Sequence, residues 1–244
     1  MILAVALAWA EADTAGDTEV EPAYPSSPPI SIDDAETVER GHVEINLTMG
    51  AEGGAEGWST ESPLVDANYG LTDNIHVNAE IPLTLVGGAA PVSVGLGQAA
   101  VAVKVRLVHL PKLQLAVHPA VALPPIPSVS VEPDAPVTFT LPVVLDVALG
   151  DTGAGVGVQL SRTFSPEGAW GAAVGFATPV ADGSVVMFDY TQDAAADLTL
   201  GEGWFEVGFV HERLFGAEAL TLLTSLGRST EGGSAAMVGV QVGI

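Results

Sequence analysis

The sequence predicts an all-β fold, a transmembrane up-and-down antiparallel β-barrel of about twelve strands. Three observations carry that expectation. Apolar and polar residues alternate with a period of two, as in 42–49, where His42, Glu44, Asn46 and Thr48 interleave with Val43, Ile45, Leu47 and Met49. Successive strand residues point to opposite faces, so each such stretch has one greasy and one wet face. Mean hydropathy is +0.41, yet no run of 18 apolar residues supplies a spanning helix. A closed barrel satisfies every backbone group in lipid without one.

The strands are placed at 42–49, 64–71, 75–86, 97–108, 113–123, 136–149, 154–164, 169–178, 184–190, 204–214, 219–227 and 234–244. An even number suits a single-chain barrel with both ends on the periplasmic side. That polarity makes 50–63, 87–96, 124–135, 165–168, 191–203 and 228–233 the outer loops. The inner turns are then 72–74, 109–112, 150–153, 179–183 and 215–218, shorter as a group. Pro82, Pro119 and Pro142 fall inside strands. A closed barrel has no edge to shelter a missing donor, so bulges or kinks are expected there. A weakened seam near Pro119 and Pro142 would give an apolar solute a sideways exit into lipid.

Ahead of the barrel, 41–244, stand two other segments. Residues 1–12 carry a short apolar core, Ile2 to Ala10, followed by small-x-small cleavage sites, and resemble a signal peptide lacking the usual positive leader. Residues 13–40 are acidic and bear Pro22, Pro25, Pro28 and Pro29. They read as a periplasmic segment or as a plug entering the lumen.

The chain carries 30 acidic and 7 basic residues, a net charge of −23. Nucleic acid, which needs clustered Lys and Arg, is excluded as a partner. There is no cysteine, hence no thiol chemistry. With the apolar set facing lipid, the lumen receives His42, Glu44, Asn46, Asp66, Asn68, His76, Asn78, Glu80, Gln98, Lys104, Arg106, Gln114, His118, Asp146 and Gln159, with Asp189, Glu206 and Glu212 from later strands. Seven acids then face two bases, Lys104 and Arg106. The excess suits a cation-favouring pore lining, or a lumen of paired side chains in which Glu80 meets Lys104 or Arg106 across neighbouring strands. Ala100, Ala102, Ala116, Ala120, Ala122, Gly155, Gly157, Ala169, Gly171, Ala173, Gly175 and Ala177 are small and inward. They leave space for a plug, water or an apolar ligand, or simply permit the sheet to curve.

His42, His76 and His118 lie on separate strands without short ligand spacing, so neither metal nor cofactor is expected. No Gly-x-Ser-x-Gly nucleophile motif is present. His211 and Glu212 are adjacent and so point apart. Trp58, Trp170, Trp204, Tyr69, Tyr190, Phe164 and Phe205 fall mostly near strand ends, where aromatic girdles belong.

Residues 62–82, with Asn68-Tyr69-Gly70-Leu71-Thr72-Asp73-Asn74 and Ile81-Pro82, followed by Gly95-Leu96-Gly97-Gln98 and Val101 to Arg106, resemble the bacterial outer-membrane putative transporters of the MetA-pathway of phenol degradation type. Gln98 stands where that pattern has an acid, and Val105 where it has an aromatic. The resemblance implies an outer-membrane barrel of a Gram-negative bacterium, delivered by the barrel-assembly machinery and seated in outer-membrane lipid. It also implies passive transport of small solutes, hydrophobic or aromatic compounds among them. The alternatives are a barrel enzyme acting on lipid, a closed structural barrel, and a secreted β-sandwich.

Overall fold

A computed structural model describes residues 30–54, 57–88, 91–131, 133–165, 168–217 and 219–244. Its strands are β1 (Val43–Gly54), β2 (Gly57–Thr72), β3 (Ile75–Gly88), β4 (Ser93–Leu96), β5 (Ala100–Leu110), β6 (Leu113–Val117), β7 (Ala120–Ala122), β8 (Thr138–Ala148), β9 (Gly155–Phe164), β10 (Ala169–Ala181), β11 (Ser184–Ala195), β12 (Leu200–His211), β13 (Leu220–Ser229) and β14 (Ser234–Gly243). Two pairs are single staves with a break, β4 with β5 and β6 with β7, so fourteen strands make a twelve-stave antiparallel sheet. The sheet closes because β14 pairs with β1, from Glu44 opposite Gly243 to Gly53 opposite Ser234. Closure gives every stave two neighbours and leaves no open edge.

The period-two reading sets the faces. Val103, Val143 and Val238 are outward and 38–49% exposed, within a band that includes Leu47, Ile81, Leu160, Val174, Phe188 and Leu226. Their neighbours Ala102, Lys104, Asn46, Asn68, His76, Asn78, Gln114, Asp146 and Asp189 are buried inside. A continuous exposed apolar belt around a polar interior has the wrong polarity for water and the right one for lipid.

The loops differ from expectation. Most of 50–63 is strand, since β1 and β2 stay paired to Gly54 opposite Gly57. The polar, glycine-rich composition there reads as loop, but ladder hydrogen bonds form whatever the side chains are. Residues 191–195 and 200–203 are likewise strand. Conversely, the inner connections at 149–154 and 212–219 are longer than the turns predicted there.

The prolines resolve in two ways. Pro82 sits opposite bulges on both sides: the β2 register slips between Glu61 and Leu64, and Gly97 donates to the Pro82 carbonyl where β4 gives way to β5. At Pro119 and Pro142 the register does not shift. Val117 faces Val143 and Ala120 faces Thr140, while the His118 amide donates to Pro142 and that of Val103 to Pro119. Each of these prolines removes one donor, and Pro119 falls in the break between β6 and β7, across which the register is kept.

Of the aromatics, Trp58, Phe164 and Trp170 stand outward near strand ends. The Arg162 guanidinium lies 4.9 Å from the Trp170 ring centre and 5.8 Å from that of Phe164. Trp204 departs from the predicted girdle: it shares the inward face of Glu206 and lies against Gly227 and Gly233.

The occupied lumen as candidate functional site

Residues 30–40 run inside the barrel. Ile32 and Ala35 are fully buried and Asp34 is 2% exposed. The segment has no strand partner for most of its length, so its amides need other acceptors. The wall supplies them in turn. Ser31 N–H donates to Glu206 Oε2 at 2.9 Å, Ile32 to Asp189 Oδ2 at 3.2 Å, and Asp33 to Gln159 Oε1 at 2.8 Å. Ala35 donates to Asp146 Oδ2 at 2.6 Å and Val38 to His76 Nδ1 at 3.1 Å. The Ser31 hydroxyl also bonds Glu206. Acidic wall residues thus serve as amide acceptors, a use that carboxylates perform strongly.

Side chains complete the seat. Lys104, 3% exposed, donates to Asp33 Oδ1 at 2.9 Å and Asp34 Oδ2 at 3.4 Å. His118 Nδ1 is 2.7 Å from the other Asp33 oxygen. Gln114 donates to Glu36 at 3.3 Å. Ile32 packs on Ala173, Ala177, Met187, Val210 and Leu223, and Ala35 on Ala116 and Val144. Small inward residues on β6 and β10 make the space that these two side chains fill. At the inner rim, Gly70 lets the chain pass: a methyl group there would strike the carbonyl oxygens of Val38 and Glu39.

A second polar network spans β1, β2 and β3. Asp66 accepts from Asn46 at 2.9 Å, from Asn68 at 3.2 Å, and from Asn78; Asn78 also donates to Asn68 at 3.1 Å. Two cavities flank the segment. One, of about 330 Å³, is bordered by Asp33, His76, Glu80, Ala100, Ala102, Lys104, His118, Ala120 and Pro142. The other, of about 390 Å³, is bordered by Ile30, Ser31, Glu61, Asp66, Glu80 and Glu206.

Among the described residues, no group of three or more His, Asp or Glu could hold a metal ion. The barrel is similar to solved outer-membrane channels. It superposes on the COG4313 outer membrane channel from Pseudomonas putida F1 with a TM-score of 0.67 at 12% identity, covering 88% of this chain and 100% of that one. The KdgM porin in complex with disordered oligogalacturonate gives 0.61 at 8% identity over 82% and 98% of the two chains. The NanC porin gives 0.61 at 7% identity over 81% and 98%. No family model and no curated protein matches the chain. At these identities the likeness is one of fold.

Several predicted lumen residues are placed otherwise. His42 precedes β1 and is exposed at the rim beside Glu39. Glu212 is exposed in the β12–β13 connection. Gln98 reaches the carbonyls of Leu123 and Pro136 at 3.0 and 2.8 Å, tying down the connection to β8. Arg106 bonds Asn74 and the Asp73 carbonyl at the inner rim. Glu80 does not meet Lys104: it faces Asp66 on β2 and Ala100 on β5, and Lys104 faces His76. Both expected cross-strand pairings fail because Glu80 and Lys104 lie at different heights in the register. Glu44, Asp66, Asn68, Asn78, Gln114, Asp146, Gln159 and Glu206 keep the inward side assigned to them.

Sequence reading did not find Asp33 and Asp34 as the partners of Lys104. The signal was an acidic stretch upstream of a barrel with few bases. It also missed Ser184, which pairs with His211 across β11 and β12, Oγ to Nδ1 at 2.9 Å. No carboxylate bonds that histidine among the described residues, so no Ser-His-acid relay is assembled.

Proposed function

We propose that this chain is a passive channel for small solutes in the outer membrane of a Gram-negative bacterium, with residues 30–40 narrowing its axial route. The observation that carries the reading is the pairing of an outward apolar belt with a polar interior. Two cavities beside the inserted segment extend that interior. Similarity in fold to porins and channels supports it. The lumen is two-sided: Glu44, Asp66 and Glu80 on one wall, Met187, Val210 and Leu223 on the other. Hydrophobic and aromatic compounds fall within the solute range we propose, because displacing Ile32 would uncover that apolar wall.

Lys104 is bound to Asp33 and Asp34, and Arg106 bonds at the rim, so the positive charge of both bases is already engaged. Carboxylates border both cavities. The channel therefore favours cations among charged species. Planar-bilayer recordings on the purified chain test this. Discrete currents with a cation-selective reversal potential are expected, larger in a variant lacking residues 30–40. Silence in both forms would refute the channel reading.

A further inference from the structure

We propose that Lys104 and His118 form a carboxylate-binding site built into the barrel wall, which Asp33 of the inserted segment now occupies as a tethered ligand. For solute transport the proposal rests on the channel reading above; for binding it does not. The two donors come from adjacent staves, β5 and the β6–β7 stave, and converge on one carboxylate from opposite sides. Lys104 Nζ is 2.9 Å from Asp33 Oδ1, and His118 Nδ1 is 2.7 Å from Oδ2. Each oxygen receives its own charged or ring N–H donor, an arrangement that fits a carboxylate better than a single-atom anion.

The backbones of both donors are held without residues 30–40. Lys104 sits opposite His76 in the β3–β5 ladder. The His118 backbone is held by its bond to Pro142. The wall thus sets where the two donors are anchored, and the segment's carboxylates draw their side chains together. When Asp33 leaves, Asp34 still counters Lys104, but the donors that Asp33 satisfied on Lys104 and His118 lose their acceptor, and a buried donor without a partner is costly. Exchange of Asp33 for a free monocarboxylate keeps the local charge unchanged, with Asp34 still 3.4 Å from Lys104.

The neighbourhood says what the rest of the ligand is. Ala100, Ala102, Ala120 and Pro142, from neighbouring staves, border the same 330 Å³ cavity, and the acids Glu44, Asp66 and Glu80 border it too. Small apolar walls accept a compact hydrocarbon body. By volume a single ring fits beside them, since about 150 Å³ suffices for benzene. Those acids disfavour any negative charge beyond the one that Lys104 and His118 hold. The ligand class is a monocarboxylate with a compact apolar body. Such a solute competes with Asp33, whose tether gives it a high effective concentration. Binding therefore loosens the inserted segment only when the solute is abundant.

The test uses the full chain in detergent and sodium benzoate as probe, with sodium chloride at equal ionic strength as control. Isothermal titration and thermal unfolding are measured for wild type, Asp33→Ala and Asp33→Ala/Lys104→Gln. Benzoate should bind Asp33→Ala at least tenfold more tightly than wild type and raise its Tm. The double variant should lose both effects, and chloride should give neither. If Asp33→Ala does not fold, Asp33→Asn, which keeps the side-chain shape, takes its place. Benzoate binding equal in wild type and the single variant, or unchanged by Lys104→Gln, overturns the proposal. Binding is read with no current flowing, so a barrel that failed to conduct would leave this result intact.

Discussion

Ile32→Ala should release the inserted segment while the barrel stays folded. Ile32 is fully buried among Ala173, Ala177, Met187, Val210 and Leu223. Truncating such a side chain costs about 2–5 kcal/mol. The lower end applies here, because Ile30 and Leu223 also border the 390 Å³ cavity and the site can relax into it. The strands hold their own ladders without Ile32, so the cost falls on docking of the segment. About 2 kcal/mol corresponds to a roughly 30-fold larger undocked population. The chain has no cysteine, so Ala35→Cys makes a unique reporter at a fully buried position. When opening and closing are fast, maleimide labels that thiol at a rate set by the open population. Comparing Ala35→Cys with Ile32→Ala/Ala35→Cys cancels the cost of the reporter itself. A rise of about 30-fold is expected. Equal rates would show that Ile32 does not hold the segment, and the packing argument would fall.

The same reporter should respond to Gly70→Ala, because the added methyl collides with the carbonyls of Val38 and Glu39 and must push the chain off the wall; unchanged labelling would mean that the segment can shift without leaving. Lys104→Met leaves Asp33 and Asp34 without their cation inside the barrel. Docking should weaken by about 3–5 kcal/mol, the range for breaking a buried pair. Arg106→Met, at the rim, should have a much smaller effect, and the opposite ranking would refute the assigned roles. Val143→Arg, on the outward face, should cost about 2–4 kcal/mol near mid-membrane, seen as a lower urea midpoint in lipid vesicles; stability equal to wild type would place that face away from lipid.

The sequence by itself determined the faces. Alternation is a property of one strand, written in consecutive residues, so Asn46, His76, Lys104, Gln114 and Asp146 could be assigned inward and Val103, Val143 and Val238 outward without knowing any neighbour. It also determined the all-β class, for the same local reason. Strand ends were less legible: β1 and β2 continue through polar, glycine-rich sequence because backbone pairing persists where side-chain pattern stops. Partners were not legible at all. Lys104 could reach Glu80 only if two strands were aligned at one height, and register arises from the pairing of whole hairpins. Only the tertiary structure set Glu80 against Ala100 instead. It alone laid Asp33 beside Lys104, a contact across 71 positions of sequence. An unpatterned segment has no periodic face to reveal its destination. It lies where the wall offers its amides acceptors and its carboxylates a cation, and those groups come from staves that only barrel closure brings together.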